Sequence, residues 1–100
     1  MHKYTFTNKA LQDLALIWDY TFEKWSENQA DRYYRMLIKS CREVAVNPEQ
    51  GKDYSGVTNN LLGLRAGRHI IFYRRITGND VEITRILHEQ MDIKKRIRNK

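Results

Sequence analysis

Apolar residues recur along the chain at two different periods, and the switch between them divides it. Tyr4-Thr5-Phe6-Thr7 alternates and predicts a short strand. Thr7 or Asn8 then suits a helix N-cap. Ala10, Leu11, Leu14, Ile17, Trp18, Thr21, Phe22 and Trp25 keep the i, i+3, i+4, i+7 spacing of one helix face. Asp13, Asp19, Glu23 and Lys24 fall mostly off that face, and the helix is expected to end near Ser26. Asn28 is the expected cap of a second helix, with Asp31 as a weaker capping-box partner. Its stripe is Ala30, Tyr33, Tyr34, Leu37, Ile38, Cys41, Val44 and Ala45, and Asn47-Pro48 stops it before Gly51. Two helices of about 18 residues, each about 27 Å long, joined this closely form an antiparallel hairpin.

From Gly51 to Asn60 the chain is polar and reads as a loop, after which the period becomes two. Leu61 to Ala66 is a strand and Gly67 a turn. Arg68 to Ile76 sets His69, Ile71, Tyr73 and Arg75 against Ile70, Phe72 and Arg74. Thr77-Gly78-Asn79-Asp80 is a hairpin turn. Val81 to His88 forms the next strand, with Val81, Ile83, Arg85 and Leu87 expected on one face. Strands apolar on both faces require cover. Glu89 to Lys100 reads as a short helix with Met91, Ile93 and Ile97 inward. The expected fold is α+β: an antiparallel β-sheet packed against an N-terminal αα-hairpin, with a short C-terminal helix.

Composition narrows the classes. One hundred residues hold one core, hence a single domain over residues 1–100. No apolar run approaches the roughly 20 residues that span a bilayer, so no membrane is expected. The stretch from Met1 to Phe6 lacks the hydrophobic core of a signal peptide. Cys41, the one cysteine, has no intrachain partner; it reads as a small core residue and fits a reducing cytoplasm. The net charge is +6. Residues 1–50 balance, with seven Lys/Arg and seven Asp/Glu, whereas residues 51–100 carry eleven against five. A basic half beside a neutral one points to an acidic partner, either nucleic acid or an acidic protein segment.

Several motifs together carry a resemblance to one known family. Ala10-Leu11-Gln12-Asp13-Leu14 is similar to the family's opening of the first helix. Ala30 and Asn47-Pro48-Glu49-Gln50-Gly51 resemble its second helix and the break behind it. Most specific is Arg85-Ile86-Leu87-His88-Glu89-Gln90-Met91-Asp92, with Arg68-His69-Ile70-Ile71-Phe72-Tyr73 similar to the central strand. The resemblance, to the ParE family of toxins, runs from Tyr4 to about Ile97. It implies the fold shared with RelE ribonuclease toxins. It also implies a toxin that binds DNA gyrase, traps it on cleaved DNA, and is neutralised by a ParD-like antitoxin. Operator DNA is then reached only through the antitoxin.

RelE-type relatives cut messenger RNA with basic residues on the middle strands and near the end of the last one. Laid along this chain, those positions fall on Leu61, Gly63 and Ile70, leaving Arg65 and, at the last position, His88. Losing one positioned acid–base group typically costs about 10²–10⁴-fold, so a non-enzymatic clamp with no catalytic residues is expected. Arg68 and His69, beside Ile70, keep a ribosome-dependent messenger-RNA interferase open as the alternative. The basic sheet face, Arg65, Arg68, Arg74, Arg75 and Arg85, is the expected antitoxin site, because arginine forks suit carboxylates. Trp25, His88, Lys94, Lys95, Arg96, Arg98 and Lys100 are the candidates for binding the target. His2, His69 and His88 are too scattered for a metal motif, and no cofactor is expected.

Overall fold

The computed structural model describes residues 3–78 and 80–98. Strand β1 (Tyr4–Phe6) leads into helices α1 (Asn8–Lys24) and α2 (Glu27–Val46). After a 3₁₀ turn over Pro48–Gln50 come β2 (Lys52–Asp53), β3 (Leu62–Ala66), β4 (His69–Arg75), β5 (Val81–His88) and helix α3 (Ile93–Arg98). The sheet order is β1-β5-β4-β3-β2. From β2 to β5 every pairing is antiparallel, as expected, while β1 adds a parallel edge with Tyr4 opposite Val81. A parallel neighbour needs a long crossover, and here the helical hairpin and three strands separate β1 from β5.

Thr7 is extended and caps α1, its hydroxyl accepting from the Ala10 N–H at 3.1 Å. Ser26, not Asn28, caps α2: it holds an extended backbone and accepts from the Gln29 N–H at 3.1 Å, which leaves Asn28 inside the first turn. The hairpin covers one sheet face, where Leu14, Leu37, Cys41 and Val44 meet Ile71, Tyr73, Val81, Ile83 and Ile86. Burial pushes the Cys41 thiol up to about 12, so it behaves as an inert core atom. On the opposite face Leu61, Phe72 and Leu87 form a smaller core under Tyr54, Val57, Ile93 and Ile97. Cover on both sides accounts for strands that are apolar on both sides.

Three expectations are corrected. In β5 the register slips by one: Phe72 faces Arg85 but Tyr73 faces Ile83, so Thr84 is an extra, bulged residue. Ile86 therefore joins Val81 and Ile83 under the hairpin, and Arg85 and Leu87 leave that face. The last helix starts at Ile93 rather than Glu89, because Asp92 caps it by accepting from the Lys95 N–H at 3.1 Å. Met91 is consequently exposed, while Ile93 and Ile97 point inward. In the β4–β5 turn the Ile76 N–H donates to the Asp80 carbonyl at 2.9 Å; Asn79, like His2 and Lys100, lies outside the described residues.

Candidate functional site

The bulge is held from α1. The Thr7 hydroxyl that caps the helix also donates to the Thr84 carbonyl at 2.8 Å. Asp13 accepts from the Ile86 N–H at 3.0 Å and takes both prongs of Arg85, Nε at 2.8 Å and Nη2 at 3.1 Å. Arg85 Nη1 donates onward to the Arg96 carbonyl at 3.1 Å, which ties α3 to the same knot. The carboxylate raises the guanidinium's already high pKa. Asp13 was placed off the apolar stripe in sequence, yet it is 9% exposed. It sits at the spacing of Ala10, Leu14 and Ile17, and that spacing was the available signal.

Five arginines were expected on one sheet face, and the structure divides them. Arg65 pairs with Glu89 at 2.7 Å, and Arg68 stands in the adjoining turn. At the other end of β4, about 20 Å away at roughly 3.3 Å per residue, Arg74 pairs with Glu82 at 2.9 Å and Arg75 approaches Glu49 at 4.0 Å. Arg85 is committed to Asp13. The expected single face is thus corrected to two basic ends: β4 carries Arg74 and Arg75 at its C-terminal end, while Arg65 on β3 and Arg68 flank the turn before it.

A different set of groups comes together where β3 turns into β4. Gly67 sits at φ +61, and a Cβ there would lie 2.8 Å from the Tyr33 hydroxyl, so only glycine lets the turn close over α2. The Tyr33 oxygen accepts from the Arg68 N–H at 3.0 Å and is hydrogen-bonded to His69 Nδ1 at 2.7 Å. With Tyr33 as the donor, the His69 proton lies on Nε2. His88 is fixed the same way, its Nδ1 accepting from the Gln90 N–H at 3.1 Å. The two rings meet edge to face, 5.3 Å apart. Burial, with His88 adding to it, pushes His69 down to about 4, and burial raises Tyr33.

These rings floor a trough that runs along α1. One part, about 390 Å³, lies among Leu16, Ile17, Tyr20 and Met91; the next, about 600 Å³, reaches Trp25, Tyr33 and Arg68. Tyr20, Thr21, His69 and His88 line both, which makes the trough continuous. Its rim is unusually apolar: Trp25 is 74% exposed, Leu16 66% and Tyr20 63%. Of the target-binding candidates, Trp25 and His88 therefore share one surface. Lys94, Lys95 and Arg96 lie on α3, while Lys100 and the Arg98 side chain lie outside the described residues. Tyr33, Leu16 and Tyr20 were not singled out from sequence. Tyr33 stood in a core stripe, where a buried hydroxyl needing a partner was the signal. Among the described residues no three His, Cys, Asp or Glu side chains gather as metal ligands.

Comparison with known proteins bears on this geometry. Residues 4–93 match the family model described as the ParE toxin of type II toxin–antitoxin systems, parDE. Toxin ParE1 of Mycobacterium tuberculosis is 32% identical over 91 residues, covering 91% of this chain and 93% of that protein. Two solved structures share the fold. A chain of the chromosomal ParDE toxin–antitoxin system from P. aeruginosa has a TM-score of 0.75 at 19% identity, covering 88% of this chain and 96% of that one. A chain of the RelBE2 toxin–antitoxin complex from Mycobacterium tuberculosis has a TM-score of 0.64 at 20% identity, covering 88% and 98%.

Proposed function

The chain belongs to the ParE toxin family of type II toxin–antitoxin systems, and from that premise we propose that it is a non-enzymatic inhibitor of DNA gyrase, neutralised in the cytoplasm by a ParD-like antitoxin. The observation that supports this most is the exposed trough. A rim of Trp25, Tyr20 and Leu16, with Met91 beside it and the two imidazoles at the floor, suits a protein partner. The antitoxin's acidic segment is the natural occupant of the trough and of the arginines at either end of β4. Gyrase and antitoxin then compete for overlapping surface.

A ribosome-dependent messenger-RNA interferase is the second reading, because Tyr33, Arg68, His69 and His88 gather in one cleft. The protonation states favour the clamp. A histidine pushed down to about 4 is a weak base at neutral pH, and the Nδ1 atoms of both rings are already engaged in hydrogen bonds. A supercoiling assay with purified toxin, gyrase, ATP and plasmid tests the proposal. Accumulated cleaved plasmid supports it. Normal supercoiling by folded, antitoxin-binding protein refutes it, and cleavage of ribosome-bound messenger RNA would then establish the second reading.

A further inference from the structure

On the other side of the Asp13–Arg85 knot, a cleft of about 550 Å³ opens between the start of α1 and α3. Its lining is ionic throughout: Lys9, Arg85, Asp92, Lys95 and Arg96. Asp92 has its carboxylate turned to the helix backbone, accepting from the Lys95 N–H. Arg85 is fixed by Asp13 and by the Arg96 carbonyl. Lys9, Lys95 and Arg96 are exposed, and none of them has an ion-pair partner among the described residues. Three cations without an ion-pair partner thus converge on one concavity beside a single carboxylate, Asp92, in a protein whose carboxylates pair with Arg65, Arg74 and Arg85.

We propose that this cleft holds a backbone phosphate of duplex DNA. The chemistry of the lining chooses the ligand. A peptide partner needs an apolar anchor, and a single-stranded nucleic acid needs an aromatic ring to stack on. This cleft presents neither. Two ammonium groups and a guanidinium converging on one concavity suit a phosphate, and a phosphate contact positions the protein without reading sequence. Operator recognition therefore stays with the antitoxin. The contact instead lets the toxin touch the DNA on which its target works, but it does not depend on the gyrase reading.

The test uses toxin and DNA with no gyrase present. Binding of a fluorescein-labelled duplex of about 20 base pairs is followed by anisotropy between about 50 and 200 mM salt, where phosphate contacts dominate affinity. The triple variant Lys9→Gln, Lys95→Gln, Arg96→Gln is compared with a charge-matched triple on the exposed face of α2, Arg35→Gln, Lys39→Gln, Arg42→Gln. The cleft variant should bind at least about tenfold more weakly and lower the salt slope by about 0.9, the value for one lost phosphate contact. The α2 variant should stay close to the parent. No binding by the parent at low salt overturns the proposal. Equal loss in both triples does the same, since it would mean diffuse attraction to a basic protein. Competition by polyglutamate as strong as that by unlabelled duplex also refutes it in favour of an acidic peptide.

Discussion

Arg85 and His88 stand three residues apart on β5, and both were singled out in sequence as groups that meet a partner. Arg85 closes a knot in which the carboxylate, the guanidinium and the bulged backbone of Thr84 to Ile86 are satisfied from within. His88 and its neighbour His69 are satisfied on one edge only. Nδ1 is engaged, and Nε2 has no protein partner among the described residues. The first arrangement joins α1, β5 and α3 and engages three of the five guanidinium N–H donors within the fold. The second leaves fixed donors at the floor of an apolar trough. A charged residue in a motif is thus architectural or functional according to how many of its hydrogen bonds the fold itself supplies.

The comparison breaks most visibly at Asp13. Asp13→Ala strands Arg85 and the Ile86 N–H together, and truncating one member of a shielded, hydrogen-bonded pair costs about 3–5 kcal/mol when fully buried. The Arg85 side chain is 17% exposed, so about 3 kcal/mol is expected, read as a lower midpoint in urea denaturation. Replacing both partners, Asp13→Leu with Arg85→Met, should cost less than the two single changes added together. Additive losses would show that the knot is not one unit.

The knot was illegible in sequence, and the reason is the bulge. The helices, the turns at Gly67 and Gly78, and the two-sided strands all follow from period and punctuation, which are local. A bulge leaves no such trace: Ile86 and Leu87 are both apolar, so alternation through Arg85 looked unbroken. The direction of β1 and the two-residue β2 depend on which strand lies beside them, and that is a tertiary outcome. Within the site, Trp25 at the end of α1 was legible from its position. Tyr33 was not, because a helix stripe does not say whose hydroxyl meets the β3–β4 turn.

The imidazole pair gives the next largest effect, and it is a pH dependence. His69 titrates near its ordinary 6.5 when unfolded and at about 4 when folded, so the unfolded chain binds the proton first. Stability should be full above about pH 6.5, fall as the pH drops towards 4, and level off below. The full shift corresponds to about 3 kcal/mol, and partial exposure of the ring reduces the expectation to about 2. Denaturation midpoints measured across that window check it, with His69→Gln expected to flatten the slope. Tyr33→Phe comes third. It removes the oxygen shared by the Arg68 N–H and His69 Nδ1, for a loss of about 1–2 kcal/mol. A chemical shift of His69 that does not change in this variant would contradict the Tyr33–His69 hydrogen bond.

Trp25→Ala should be the smallest change in stability and the sharpest in function. The indole is 74% exposed and follows the last turn of α1, so removing it should shift the unfolding free energy by less than about 0.5 kcal/mol. A hot-spot aromatic on the rim of a docking trough contributes at least about 2 kcal/mol to the complex, or roughly thirtyfold in affinity. Toxin carrying Trp25→Ala should therefore melt with the parent and yet need roughly thirtyfold more protein to inhibit supercoiling. Asp13→Ala should show the reverse, losing stability while its folded fraction keeps the parent's affinity. If Trp25→Ala instead lowers the midpoint as Asp13→Ala does, the tip is part of the architecture. The trough would then begin at Tyr20, and Leu16 and Met91 would be the residues that hold the partner.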